Sequence, residues 1–194
     1  MFINHRLKEI NIKIVYYGPA LSGKTTNLQY IHAHINPRLR GELVSVKTHE
    51  DRTLFFDFLQ LEPEKVMGLK PKFQLYTVPG QVYYAFSRKL VLQGADGVVF
   101  VADSQLNRLN DNLESLLDMN GHLAEMCYKV DDFPLVIQFN KRDLPNVAPL
   151  SLLRSTLAAN GRPCFEAVAT EGDGVFDTLK AIIQRVVSKL QRQI

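Results

Sequence analysis

The feature that most constrains the fold is a short segment between two glycines near the start of the chain. Residues 18–25 read Gly-Pro-Ala-Leu-Ser-Gly-Lys-Thr and fit the pattern G-x-x-x-x-G-K-[ST]. An apolar run, residues 12–17, precedes them, and a helical pattern follows. A strand, a tight loop and a helix in this order direct successive backbone N–H groups and the positive end of the helix dipole toward one point. The sequence therefore predicts a phosphate-binding loop.

The residues of this loop have distinct predicted roles. Gly18 and Gly23 allow the backbone to turn tightly enough for its N–H groups to face phosphate oxygens. Lys24 supplies a positive charge for the outer phosphates, and the Thr25 hydroxyl is a hard oxygen ligand for Mg²⁺. The alternative is a turn that binds nothing. The residues predicted to contact the phosphates are Gly18, Ala20, Leu21, Ser22, Gly23, Lys24, Thr25 and Thr26.

The composition predicts one globular domain spanning residues 1–194. Of these residues, 46% are apolar and 22% are charged, which suffices for a buried core. The net charge of +3 is too small and scattered to indicate nucleic-acid binding. We expect no signal peptide, membrane span or lipid anchor, and a cytoplasmic location with any membrane association through a partner or a surface. Cys127 and Cys164 are predicted to be reduced thiols in the core.

Short apolar runs alternate with helical patterns along the whole chain. This alternation predicts an α/β fold with a mostly parallel central sheet and helices on both faces, whose ligands lie beyond the carboxyl ends of the strands. The stretch 38–52 is long for a connection, and we expect it to be functional or mobile. Strands are predicted at 12–17, 54–61, 73–78, 97–102, 135–139 and 165–169, and helices from 23 to before 36 and at 83–92, 107–126, 150–158 and 175–190.

A second motif, Asn140-Lys141-Arg142-Asp143, follows a predicted buried strand. The Asp143 carboxylate can accept hydrogen bonds from both N1–H and the exocyclic amino group of guanine. Adenine has neither donor there, so the carboxylate, which we expect to be buried, would be left unpaired at a cost of about 1–3 kcal/mol or more. Asn140 would brace the site and contact the base, and the Lys141 stem can lie over the ring. The alternative is a polar turn that closes a strand.

Together with the phosphate loop, this motif makes a family resemblance plain. The chain resembles a Ras-superfamily small GTPase over nearly its full length, and more narrowly the bacterial MglA group of cell-polarity and gliding-motility GTPases. The match rests on residues 18–26, 51–58, 75–81 and 140–143, and residues 166–170 fit the last guanine-binding segment. The resemblance implies a P-loop NTPase domain of the small G-protein type that binds GTP or GDP with Mg²⁺. It also implies that the Ala169 N–H meets the base oxygen.

The same resemblance implies a hydrolytic mechanism. Thr53 would close onto Mg²⁺ and the γ-phosphate, and Gln81, just past Gly80 at the phosphate, would orient the attacking water. Arg52 would act as an arginine finger from within the same chain, typically worth about 10³–10⁵ in rate. The alternatives are a threonine that starts a strand, a glutamine that heads a helix and a solvated arginine on a loop.

Two positions depart from the Ras pattern. Ras-type proteins carry Asp at the start of the strand-end motif D-x-x-G, where this chain has Thr77, as the MglA group does. Thr77 cannot supply a charge near Mg²⁺, although its hydroxyl could hold a coordinating water. Ala20 replaces the glycine that is usual at the third place of the loop, and its methyl group points toward the space for a finger and Gln81.

The resemblance also implies partners. We expect an MglB-like roadblock-domain dimer as the GTPase activator, effectors that bind the GTP state, recruitment to a cell pole or membrane by partners, and a monomer when the chain is alone. Tyr83, Tyr84 and Phe86 follow Gln81, where partners of GTPases dock, and aromatic side chains suit such contacts. Their alternative role is in the core.

Two other function classes remain open from the residues. A P-loop kinase or ATPase would need a lid over its acceptor, and the base-reading motif argues against adenine. A pseudo-GTPase scaffold would bind GTP with little hydrolysis, which Ala20 and Thr77 make conceivable.

The methyl group of Ala20 generates a first prediction. If it crowds the space for Arg52 and Gln81, unassisted hydrolysis is slow and Ala20→Gly speeds it up. Single-turnover assays of the two proteins measure this, and equal rates would refute it.

Overall fold

The computed structural model of the chain describes residues 2–4, 6–47, 53–63, 69–81, 84–157 and 161–192, with the backbone alone at 2–4, 46–47 and 53–55. These residues form eight strands and five α-helices, and strands alternate with helices one by one from residue 70 onward. The strands are β1 (Phe2–Asn4), β2 (Glu9–Tyr17), β3 (Val44–Lys47), β4 (Thr53–Leu61), β5 (Lys70–Thr77), β6 (Gly97–Asp103), β7 (Leu135–Asn140) and β8 (Cys164–Glu166). The helices are α1 (Lys24–His34), α2 (Ala85–Leu92), α3 (Leu109–Glu125), α4 (Leu150–Leu157) and α5 (Val175–Gln191).

The described strands form one sheet in the order β3-β4-β5-β2-β6-β7-β8, with β1 paired to β2. The pairs β2/β5, β2/β6, β6/β7 and β7/β8 are parallel, whereas β3/β4, β4/β5 and β1/β2 are antiparallel. The carboxyl ends of β2, β6 and β7 therefore lie along the same edge. Because the chain moves from β2 to strands on both of its sides, a crevice forms at this edge.

The core has one cluster on each face of the sheet. The first cluster packs α1 and α5 on one face, through side chains such as Leu28, Ile31 and Ile182. The second packs α2, α3 and α4 on the other, through side chains such as Leu92, Met119 and Leu153. Every residue of β6 and β7 is buried, as expected for strands covered on both faces. The predicted fold class is confirmed.

Several details differ from the sequence prediction. The stretch expected to be a connection contains β3, and a short β1 precedes the first predicted strand. The strand predicted at 165–169 ends at Glu166, because Val168 pairs with Asp173 in an isolated antiparallel bridge and no longer with β7. Cys127 is exposed and Cys164 half-buried, so the prediction of two core thiols was wrong. Among the described helices, none combines the length and hydropathy needed to cross a membrane.

Gly97 generates a prediction about packing between β6 and α5. A Cβ atom there would lie 2.6 Å from Val186 Cγ2 and 3.0 Å from Ile182 Cδ1. We expect Gly97→Ala to lower the free energy of unfolding by about 1–3 kcal/mol through overpacking. Gly121 is the matched control, because it is exposed within α3 and a Cβ meets nothing within 4 Å. Gly121→Ala should raise stability by roughly 0.5–1 kcal/mol. Chemical denaturation measures both, and equal effects would contradict this packing.

Candidate nucleotide-binding site

The loop between β2 and α1 has the tight backbone that its glycines predict. Gly18 and Gly23 have φ angles of 144° and 100°, and Leu21 also has a positive φ of 63°. A Cβ atom on Gly18 would lie 2.2 Å from Val101 O, and one on Gly23 would lie 2.1 Å from the Asn140 side chain. Glycine is therefore required at both positions for conformation and for space.

Lys24 begins α1 and folds back over the loop. Its Nζ donates to Gly18 O at 2.9 Å and to Pro19 O at 2.6 Å, and the residue is buried. Burial, together with the neighbouring cations Arg88, Arg108 and Lys141, lowers the pKa of Lys24 to about 7, against the attraction of Asp57. Several positive groups thus converge on this loop. Such a site suits a polyanion such as a nucleotide phosphate chain.

Asp57 lies beside the loop, although sequence reasoning gave it no role. The residue is fully buried in β4, and its carboxylate accepts hydrogen bonds from Thr25 Oγ1 at 2.5 Å, from Thr77 Oγ1 at 2.8 Å and from Ser45 Oγ. The Asp57 N–H also donates to Thr77 Oγ1 at 2.8 Å. The sequence feature that could have identified Asp57 is a carboxylate at an inward-facing position of an otherwise apolar strand. The negative charge absent at Thr77 is therefore supplied from the adjacent strand.

These oxygen atoms fit a magnesium ion. The Thr25 hydroxyl and the Asp57 carboxylate are hard oxygen donors 2.5 Å apart, next to the phosphate loop. The described part of the chain contains no group of three or more His, Cys, Asp or Glu side chains that could hold a metal. Mg²⁺ usually keeps several waters and takes phosphate oxygens with one or two protein ligands. The donor set at Thr25 and Asp57 is of that kind.

The second motif lies where β7 ends. The Asn140 side chain is 2% exposed, donates from Nδ2 to Ser22 O at 2.8 Å, and accepts the Ala169 N–H at Oδ1 at 2.9 Å. Lys141 has a positive φ of 65°, and its Nζ lies 2.7 Å from the Asp103 carboxylate. Asp143 is exposed, because it follows the end of β7 and lies outside the sheet, so the expectation of a buried carboxylate was wrong. The Ala169 N–H therefore already donates to Asn140. To contact a base oxygen, this N–H must either donate to both acceptors or give up its bond to Asn140.

A buried amide pair lies behind the loop, and sequence reasoning also missed it. Asn27 on α1 donates to Gly23 O at 2.9 Å and exchanges hydrogen bonds of 2.9 and 3.0 Å with Gln138 on β7. Gln138 also donates to Thr178 Oγ1 on α5 at 3.1 Å. All three side chains are buried. The pair fixes the phosphate loop relative to the strand that carries the second motif.

The structure describes some of the other predicted site residues fully, one by its backbone alone, and two not at all. Gly80 packs directly on the loop, since a Cβ there would lie 2.5 Å from Ala20 Cα, and Gln81 follows it. The Ala20 carbonyl accepts a hydrogen bond from Arg108 Nη2 at 2.8 Å. Thr53 begins β4, but only its backbone is described, and Arg52 and Tyr83 lie outside the described residues. Thr26 and Tyr84 are half-buried, whereas Leu21 and Phe86 are 68% and 73% exposed.

The fold and this site define a class of protein. A phosphate loop after β2, a base-reading motif after β7 and a mostly parallel sheet with helices on both faces are the features of a Ras-like small GTPase fold. Comparison with known proteins identifies the family within this class.

The chain is 53% identical over 191 residues to the mutual gliding-motility protein MglA of Myxococcus xanthus, covering 98% of each chain. It is 25% identical over 190 residues to the Ras-related protein Rab-32C of Dictyostelium discoideum, covering 95% of this chain and 77% of that one. It is 27% identical over 162 residues to elongation factor 4 of Thermus thermophilus, covering 73% and 25%. No family model matches the chain. The chain belongs to the MglA family of small GTPases, as the sequence resemblance predicted.

Asp57 generates the prediction for this site. Asp57→Asn keeps the shape of the side chain but removes the negative charge, so we expect most of the stabilisation of bound GDP by Mg²⁺ to be lost, about 1.5–3 kcal/mol. Dissociation of a fluorescent GDP analogue, with excess Mg²⁺ and with EDTA, measures the effect. Asp96→Asn, the same change at a carboxylate that accepts the Lys13 N–H, is the control. If Mg²⁺ slows release equally in wild type and Asp57→Asn, this role of Asp57 is wrong.

Proposed function

We propose that this protein is a molecular switch that binds guanine nucleotide with Mg²⁺, hydrolyses GTP to GDP, and controls bacterial gliding motility and cell polarity. The observation that carries the proposal is the Asn140 side chain, which connects the phosphate loop at Ser22 with Ala169 in the last loop. The 53% identity to a gliding-motility protein supports the cellular role.

Nucleotide binding follows from the residues at the carboxyl edge of the sheet. The backbone N–H groups of Gly18 and of residues 20–26, with the Lys24 ammonium, would hold the phosphates, since Lys24 can exchange its carbonyl partners for phosphate oxygens. Bound Mg²⁺ would neutralise charge that develops on the phosphates. Thr25 would coordinate the Mg²⁺ ion directly, and Thr53 would be a second ligand in the GTP state. Asp57 would orient a water molecule bound to the ion. Asp143 would read guanine, with Lys141 over the ring.

Hydrolysis would depend on residues that flank the phosphate loop. Gln81 would orient the attacking water, and Arg52 would stabilise the charge of the transition state from within the chain. Thr53 would leave the site once the γ-phosphate is released, and this change in loop conformation is the output of the switch. Gly80 packs against the Ala20 backbone, so the Ala20 methyl group lies next to the segment that carries Gln81, which supports slow unassisted turnover.

Partners would read and regulate that conformational change. We propose an MglB-like roadblock dimer as the activator, with effectors that bind the GTP state, and recruitment of a cytoplasmic protein to a pole or membrane through them. The exposed Phe86 and the half-buried Tyr84 near Gln81 support a docking surface next to the site. A pull-down with the GTP-bound form of Gln81→Ala would identify these proteins.

Phosphate release from bound GTP tests the proposal. In a single-turnover assay with Mg²⁺, wild type should release phosphate, and Arg52→Ala should lower the rate by about 10³-fold or more. Gln81→Ala should also be slow because the water is no longer oriented.

The control for these assays is Arg154→Ala, which removes an exposed arginine on α4 and should leave the rate unchanged. A wild-type protein that retains GTP without releasing phosphate would be a pseudo-GTPase, and hydrolysis would be excluded. Rates that do not change in Arg52→Ala or Gln81→Ala would exclude the roles of those residues.

A further inference from the structure

A hydrogen-bonded cluster joins three elements next to the phosphate loop. The Asp118 carboxylate on α3 accepts the Tyr17 hydroxyl at 2.5 Å and Arg88 Nε at 2.8 Å. Tyr17 is the last residue of β2 and precedes Gly18, and Arg88 lies on α2. His122, one turn along α3, places Nε2 3.4 Å from the same carboxylate. The cluster therefore ties α2 and α3 to the strand that carries the loop.

The same arginine reaches the residue proposed to orient the water. Arg88 Nη1 donates to the backbone carbonyl of Gln81, which also accepts the Tyr84 N–H at 3.2 Å. Arg88 is only 7% exposed, so its guanidinium has few water molecules to replace these partners. One side chain thus connects the Gln81 backbone with Asp118, and through Asp118 with Tyr17.

We infer that Arg88 is a positioning residue for hydrolysis, which acts by fixing the Gln81 backbone relative to the phosphate loop. A carbonyl held by a rigid donor limits rotation of the peptide, and the side chain of the same residue then leaves the backbone in a restricted direction. This inference rests on the proposed GTP hydrolysis. In this role Arg88 acts through Gln81 and makes no contact with the nucleotide.

The charge state of the cluster agrees with this role. Burial raises the pKa of Asp118, but the hydrogen bonds from Tyr17 and Arg88 outweigh burial and hold the pKa below its usual value. Burial and the contact with Asp118 raise the pKa of Tyr17. Asp118 is therefore an anion and Tyr17 a hydrogen-bond donor at neutral pH. The Asp118 anion and the Tyr17 hydroxyl therefore both hold Arg88 in place at neutral pH.

A conservative substitution separates positioning from folding. A lysine ammonium is a point charge that can pair with Asp118, but it cannot reproduce the planar fork that reaches Asp118 and the Gln81 carbonyl together. Arg88→Lys should therefore keep the fold and the affinity for GDP, but lower the single-turnover rate of GTP hydrolysis about 10- to 100-fold through misplacement of Gln81.

A double-mutant cycle shows whether Arg88 acts through Gln81. In a Gln81→Ala background, adding Arg88→Lys should change the rate less than about twofold, because the group that Arg88 positions is already absent. A structural role would lower the rate equally in both backgrounds and would overturn the inference, as would a wild-type rate for Arg88→Lys. Arg154→Lys, the same change on the exposed face of α4, is the matched control.

Two further results separate a failure of the proposed hydrolysis from a failure of the role of Arg88. Exchange of the Tyr84 amide hydrogen, which shares the Gln81 carbonyl, should become faster in Arg88→Lys, and unchanged exchange would overturn the inference without any assay of hydrolysis. If wild type binds GTP but releases no phosphate, the proposed hydrolysis fails and the role of Arg88 fails with it. If wild type hydrolyses GTP and the cycle is additive, the role of Arg88 alone fails.

Discussion

The Asn140 side chain bridges the phosphate loop and the last loop of the sheet. Its amide donates to Ser22 O and accepts the Ala169 N–H, at 2.8 and 2.9 Å, while its own backbone ends β7. These hydrogen bonds are shielded from water, because the residue is 2% exposed. Breaking them would leave polar groups unpaired in the interior, which costs about 1–3 kcal/mol for each group. Three segments of the site are therefore held in one arrangement, and the buried pair Asn27 and Gln138 supports the same arrangement from behind.

The hydrogen bonds around Asp57 show how a negative charge is supplied to the candidate site from a different strand. A Ras-type protein carries a carboxylate at the position of Thr77, and this chain carries it at Asp57 in the neighbouring antiparallel strand. Thr77 and Asp57 are hydrogen-bonded to each other, so Thr77 orients the Asp57 carboxylate but carries no carboxylate itself. The charge therefore remains beside Thr25, where it suits the proposed Mg²⁺ ion.

The sequence was sufficient to predict the features that depend on local pattern. The tight loop after β2 and the mostly parallel sheet follow from glycine spacing, apolar runs and the helical patterns between them. The family resemblance follows from the motifs at residues 18–25 and 140–143, whose binding roles stay predictions. The features missed depend on pairing between distant residues. Asp57 meets Thr25 only because β4 lies beside β5, and Asp118 meets Tyr17 across 101 positions of the chain. The strands β1 and β3 have three and four residues, too short for a periodic pattern.

The proposed function requires that the connection through Asn140 hold the proposed phosphate site and the proposed guanine reader at one fixed separation. Equilibrium titration of nucleotide-free protein with GDP and with ADP, both with Mg²⁺, tests this claim most directly. A reader that pairs with two guanine donors should bind GDP at least about 10- to 100-fold more tightly than ADP. Equal affinities for the two nucleotides, or no binding of either, would contradict the account.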